Sequence, residues 1–273
     1  MACSLDFARS SSLPEQMPDN VVFTYHSNGG MLPAWRRITI RDDELSIEDK
    51  KPDNKYPAFQ YTAVSTKQQA SLYKIFRENK FDLIENYEPS EITYDAGSES
   101  LSVRIPGESH SVSSGDNSPM TTEHGRRYAN AARAFFELVK NKRSELKTLR
   151  ENTVILRFNS RRQKAFIGAD AKRASINYEN AAKVAAAAKT ALKDAGQERL
   201  ASSMEYSIQL IPFKIDDTVS VFVRGICGEP PEGFDQNLAV EVEAGKCTFS
   251  FFADPHDSSV SGFKFTEPTS PAS

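Results

Sequence analysis

The sequence predicts an α+β fold made of two small domains, each an antiparallel sheet packed against one or two helices. Three observations lead there. Apolar and polar residues alternate in short runs separated by Gly, Asp and Asn turns, the pattern of half-buried strands. A few longer segments instead carry apolar residues at helical spacing. The chain is 273 residues long and places these elements in two successive groups, against a domain size of roughly 150 residues.

The first group opens with strands over 21–25 and 35–40. Between them, residues 26–33 include Asn28, Gly29 and Gly30, which permit positive φ, so the segment reads as a hairpin with an exposed loop. Ile38, Ile40, Leu45 and Ile47 alternate around an Arg41-Asp42-Asp43 turn, and Phe59, Tyr61 and Ala63 extend the alternation, as in a meander with one wet face. Ser65 or Thr66 can cap a helix with Leu72, Ile75 and Phe76 on one side. Short strands are expected around 92–94, 101–105 and 109–112. Over 122–142, Tyr128, Ala131, Ala132, Phe135, Leu138 and Val139 recur at i, i+3, i+4, i+7, i+10 and i+11, the clearest amphipathic helix in the chain. The polar run 141–152 has little to bury and marks a junction, giving an N-terminal domain over 21–150 and a C-terminal one over 151–265.

In the second group, 154–158 and 164–167 alternate like a hairpin around Asn159-Ser160-Arg161-Arg162. A helix over 177–195 ends at Gly196, with Tyr178, Ala181, Ala182, Ala185, Ala188 and Leu192 as a small-residue stripe that suits close packing on a sheet. Strands are expected over 206–215, 219–227, 238–243 and 247–252, with 260–265 as a fifth. The turns come from Asp216-Asp217, from Glu229 to Gly233 and from Ala244-Gly245-Lys246.

The ends look different. Residues 1–20, with Ser10 to Ser12, Pro14 and Pro18, show no periodic apolar face and read as a disordered tether; 266–273, with Pro268 and Pro271, read as a disordered tail. No cationic and apolar leader precedes the fold, which taken plainly reads as cytoplasmic. Cys3 argues the other way, because a cysteine ahead of a Ser/Pro tether is where a mature bacterial lipoprotein carries its acyl chain; the competing reading is an incidental cysteine. Cys227 and Cys247 sit in separate expected strands that can meet as neighbours, either as a disulfide or as two buried thiols.

Chemistry is sparse. With 34 Lys and Arg against 37 Asp and Glu, the net charge of −3 supplies no global field for phosphates, so nucleic acid is not an expected partner. A hydrophobic content of 39%, including 17 Phe, is too high for a wholly disordered chain, and no apolar run reaches the roughly 18 residues needed to span a bilayer. The four histidines, His26, His110, His124 and His256, lack the i, i+4 or His-x-His spacing of metal ligands on one element. Only His110, Asp116 and His124 lie close enough in sequence to converge, and surface loop residues explain them better. Gly-x-Ser-x-Gly, Gly-x-Gly-x-x-Gly, Cys-x-x-Cys and phosphate-loop patterns are all missing from the sequence, so no catalytic residue, cofactor or metal is expected. Arg36-Arg37 and Arg161-Arg162 with Lys164 are small basic spots that edge charge would explain. The strongest interaction candidates are Asn28, Gly29, Gly30, Met31, Leu32 and Trp35, where glycine mobility and the only tryptophan share one hairpin.

At Tyr206-Ser207-Ile208-Gln209-Leu210-Ile211-Pro212, at the strand ending in Cys227, and at Gly245-Lys246-Cys247-Thr248-Phe249, about 45 residues in all, the chain resembles the C-terminal segments of uncharacterised bacterial secreted proteins and lipoproteins. The resemblance implies an envelope location and a paired Cys227 and Cys247, and brings no activity with it. In its order of strand, Gly29-Gly30, strand, helix, strands and helix, the first half is faintly similar to emfourin-type inhibitors of metalloproteases; the insertion before the helix departs from them. The expectation for function is a non-enzymatic envelope or secreted protein that binds another protein, tethered to a membrane if Cys3 is lipidated and without a transmembrane segment. Two alternatives stand beside it. One is a protease inhibitor or immunity-type protein acting through the 26–35 loop, and the other is an enzyme of unrecognised type.

Overall fold

A computed structural model describes residues 10–54, 56–94, 96–150, 152–238 and 246–267. The chain divides into two units, Met1–Thr148 and Leu149–Ser273. Each combines an antiparallel-rich sheet with helices, so the fold is α+β.

The first unit is built on seven strands: β1 (Val22–Gly29), β2 (Leu32–Arg41), β3 (Glu44–Lys50), β4 (Ala58–Ala63), β5 (Ser98–Ile105), β6 (Glu108–Ser114) and β7 (Lys147–Thr148). Their order is β6-β5-β1-β2-β3-β4-β7, antiparallel throughout. Directly paired residues share a face. Phe23 with Ile40, Tyr25 with Ile38, Ile40 with Leu45, Tyr25 with Leu101 and Leu101 with Val112 therefore form one apolar face. Against it lie helices α1 (Thr66–Glu78) and α2 (Thr122–Lys142), which contribute Leu72, Tyr73, Phe76, Tyr128, Ala131 and Phe135 to the same core. The Phe23 and Phe76 rings meet edge to face with centroids 5.0 Å apart.

Local chemistry sets the ends of these elements. Ser65 caps α1 in a capping box with Gln68, and Thr121 caps α2 by accepting from the His124 N–H at 3.2 Å. Asp42 and Asp43 both take positive φ in the two-residue turn between β2 and β3, a conformation that Asp tolerates better than most residues. Asp43 then accepts from Thr66 Oγ1 at 3.1 Å and Gln69 Nε2 at 3.0 Å, tying that turn to the start of α1.

Several expectations are corrected here. The exposed loop over 26–33 is mostly strand, because Ser27 and Asn28 continue the ladder toward both Arg36-Trp35 and Glu99-Ser98, leaving a tip at Gly30-Met31. Phe59 and Tyr61 do not extend the core face: they pair with Glu48 and Ser46, on the opposite side from Ile47. They are nevertheless buried, so that side is not uniformly wet. The 92–94 segment is not a strand, and Ile92 and Tyr94 are exposed. Residues 11–17, expected within a tether, pack instead. Leu13 is buried in the core, its carbonyl accepts from Arg77 Nε, the Pro14 carbonyl accepts from the Tyr73 hydroxyl, and Ser11 donates to Asp82 at 2.6 Å. One large apolar side chain with backbone partners is enough to seat a segment that has no periodicity. Residues 1–9, with Cys3, and 268–273 lie outside the described residues.

The second unit holds β8 (Thr153–Ile155), β9 (Lys172–Arg173), β10 (Tyr206–Ile215), β11 (Thr218–Cys227), β12 (Thr248–Ala253) and β13 (Val260–Thr266), with helices α3 (Ser160–Ile167), α4 (Tyr178–Asp194) and α5 (Glu198–Ser203). The order is β13-β12-β11-β10-β8, with β9 also on β10. The β8–β10 pair is parallel, an arrangement reached across the three intervening helices. The expected 154–167 hairpin is corrected accordingly: Asn159 caps a helix over its second half by accepting from the Arg161 N–H. The strand expected over 238–243 lies largely outside the described residues.

Both faces of β10 are buried. On one, Ile208, Leu210, Val223, Phe249 and Phe251 pack together, and Phe263 stacks on Phe249 and Phe251. Phe263 also lines a groove with Ala187 and Ala191, which places α4 on this face. Gly225 sits opposite Phe249, whose ring occupies the space a Cβ would need, at 2.0 Å. On the other face, Gln209 Nε2 donates to the Phe234 and Asn237 carbonyls, both at 2.7 Å, fastening the 228–238 connection over the sheet. Cys227 and Cys247 form a disulfide with Cα atoms 5.3 Å apart, inside the range that a disulfide bridges. Among the described residues no helix is long and apolar enough to cross a membrane.

Candidate functional site

In the first unit α2 does not cover the whole apolar face. Where its C-terminal half leaves the ends of β1, β2 and β3, a groove of about 660 Å³ opens, within the size range of ligand pockets. Its floor is apolar and aromatic: Tyr25, Ile38 and Ile47 from the sheet, Phe136 and Val139 from α2, and Leu146 just beyond it. Phe136 is 39% exposed and meets the edge of Tyr25 at 4.8 Å between centroids, while Phe135 on the next position points into the core. The two adjacent phenylalanines thus divide the helix between core and groove. A run of two Phe in the sequence could have signalled this, since only one of them fits the stripe.

The hairpin forms one wall. Asn28, Gly29 and Trp35, three of the six interaction candidates, belong to this wall, the Trp35 ring lying beside Arg37 on its reverse face, and Met31 stands at the tip with 77% of its surface exposed. Met31 therefore does not fold back to close the sheet. Gly30 supplies the positive φ of the tip; of the Leu32 side chain nothing is described. Asn28 braces the wall by donating to Ser98 Oγ at 2.7 Å and accepting from the Ser98 and Gly30 N–H groups. Behind it, a Cβ on Gly97 would meet the Asn28 carbonyl at 2.9 Å, so a side chain at 97 would push the hairpin aside.

The rim is charged. Arg36, Lys50, Lys51, Lys140 and Arg143 face Asp49 and Glu99. Arg36 donates to Asp49 at 3.0 Å, and Lys50 reaches the Asn54 carbonyl. Lys51, Lys140 and Arg143 make no ion pair among the described residues. Burial pushes the Tyr25 hydroxyl up to about 12, with the Glu99 charge adding to the rise and a hydrogen bond with Ser27 opposing it. At neutral pH Tyr25 is a protonated donor. His26, on the opposite face, titrates below its ordinary range because burial and then Arg37 disfavour its cation.

The remaining sequence candidates are placed elsewhere. His124 is buried at the start of α2 with its Nδ1 3.2 Å from the Glu85 backbone, and His110 lies 3.2 Å from Glu108 on β6. No group of three His, Cys, Asp or Glu side chains among the described residues is arranged to hold a metal. Arg36 and Arg37 lie on an interior strand, not an edge, and pair across it with Asp49 and Glu48. A second, polar hollow in the other unit, between β8 and the 235–238 segment, includes Arg157, Ser160 and Gln163.

No family model matches the chain, and no curated protein is similar to it.

Proposed function

We propose that this is a non-enzymatic protein of the cell envelope or of a secreted compartment that binds another protein through the groove and hairpin tip of its first unit. The observation that carries the reading is the groove itself. Phe136 is exposed and Ile47, Val139 and Leu146 are half-buried above the buried Tyr25 and Ile38, next to an exposed Met31, an apolar surface that a folded domain would ordinarily cover more fully. The compartment is supported by the Cys227–Cys247 disulfide, since such bonds persist in oxidising surroundings.

Placing a photo-cross-linking residue at Met31 in the native host tests the first part. The reading expects a discrete protein adduct there, lost when Phe136→Glu is added and absent when the cross-linker sits at Lys189 on α4. Equal adducts at both positions, or none, would overturn it. For the compartment, the mass of the protein alkylated without reduction is expected to show Cys227 and Cys247 protected; three alkylated thiols would contradict it. An acyl mass on Cys3 is the outcome expected of a lipid tether.

A second reading, favoured by the exposure of Met31 on a braced two-strand support, is an inhibitor or immunity-type protein that inserts the hairpin tip into its target. It differs in requiring the tip alone. Deleting Gly29-Gly30 while keeping Phe136 and Lys140 is expected to abolish binding on this reading and only to weaken it on the first.

A further inference from the structure

We infer that the groove takes an acidic polypeptide segment bearing an apolar or aromatic side chain, an assignment that rests on the protein-binding reading above. The argument is one of charge complementarity over an apolar floor. Three elements deliver cations to one rim: Lys51 from the connection after β3, Lys140 from the last turn of α2, and Arg143 from the turn that follows. None of the three has an ion pair among the described residues. The helix dipole accounts for a lysine at the end of α2, yet it does not reach Lys51, which stands on a different element.

Asp49 accepts from Arg36, and Glu99 keeps its charge while it interacts with the Tyr25 hydroxyl, so it offsets only one of the three cations and the rim stays net positive. The chain as a whole is net negative, which makes this rim a local feature and not part of a general basic surface. Charged partners are steered and oriented by such rims, while desolvated aromatic contacts hold them. A floor made of Tyr25, Ile38, Phe136 and Val139 and a volume near 660 Å³ suit one or two large side chains flanked by carboxylates.

The test pans a displayed library of random dodecapeptides against the full chain, and follows enriched peptides, fluorescein-labelled, by anisotropy. Sequences with Asp and Glu around Phe, Trp or Leu are expected, their affinity falling roughly tenfold in the Lys140→Glu, Arg143→Glu double variant and with added salt. These positions are on the surface, and an unchanged melting temperature of the double variant shows that it is folded. Enrichment of neutral or basic peptides that still need Phe136 would overturn the acidic assignment and leave the groove as a binding site. Peptides indifferent to both Phe136→Ala and the charge reversal would overturn the groove reading as well. Tighter binding of labelled oligo-dT than of any peptide would replace the proposal with a nucleic-acid site.

Discussion

β1 and β10 are both interior strands of antiparallel-rich sheets, yet they bury their residues differently. β1 shields Phe23 and Tyr25 on one face and leaves Thr24 and His26 half-buried on the other. β10 buries eight residues in succession, Tyr206 to Phe213. The first strand answers to helices on one face; the second lies between α4 on one side and the Gln209-fastened connection on the other. A strand sealed on both faces has no surface left for a ligand. A sheet covered on one face by helices can leave part of that face open where a helix diverges from the strand ends, and in the first unit that part is the groove.

The largest expected difference between the units comes from the disulfide. Replacing Cys227 and Cys247 by Ser is expected to lower the stability of the second unit by about 3 kcal/mol, the chain-entropy value for a loop of this order. Because Trp35 is the only tryptophan and belongs to the first unit, urea unfolding followed by its fluorescence should not move, while far-UV circular dichroism should show an earlier transition. A shift of the Trp35 transition would mean that the units do not unfold separately.

Gly225→Val tests the sealed face. Its side chain would enter the Phe249 ring, so a loss of about 1 to 3 kcal/mol is expected, again without a change in the Trp35 signal. In the first unit, Ser65→Ala removes the cap of α1 and is expected to cost about 1 kcal/mol, this time visible at Trp35.

The smallest effects are those of pH. His26 titrates below its usual value in the folded state, so the unfolded chain binds the extra proton first. Its contribution is present above about pH 6.5 and declines as pH falls below that value, a slope that His26→Gln should flatten. Tyr25 has the opposite sign: its folded pKa of about 12 exceeds the unfolded value near 10, so stability of the first unit falls as pH rises from 10 toward 12, and Tyr25→Phe removes that component.

The same contrast explains how much could be read from the sequence. Because one-sided burial leaves a period, the stripe through Tyr128, Ala131 and Phe135 gives α2 its bounds and the alternation of Ile38, Ile40 and Leu45 shows the buried face of β2 and β3, although β2 starts three residues earlier than the alternation indicates. Phe59 and Tyr61 alternate like the core residues yet lie on the opposite face, since the connection between β3 and β4 sets their phase and a period does not carry across it. In the second unit, residues 160–167 read equally as strand or helix until the Asn159 cap decides, and the parallel β8–β10 pair is a consequence of the crossover. The hairpin candidates Asn28, Gly29 and Trp35 were legible as a cluster in sequence. Phe136, Lys140 and Arg143 complete the groove only through the docking of α2, more than a hundred residues away from the hairpin in the sequence, and no local pattern could announce that.

The central claim is that the groove of the first unit binds acidic polypeptide, and Trp35, whose strand forms a wall of the groove while its ring lies beside Arg37 on the reverse face, offers a nearby intrinsic signal. Titrating the full chain with the peptide acetyl-Glu-Glu-Phe-Glu-Glu-amide should give a saturable change in Trp35 emission that weakens with salt and disappears in the Lys140→Glu, Arg143→Glu variant. An unchanged emission with this peptide, together with a saturable change produced by its Lys-for-Glu counterpart, would contradict the account.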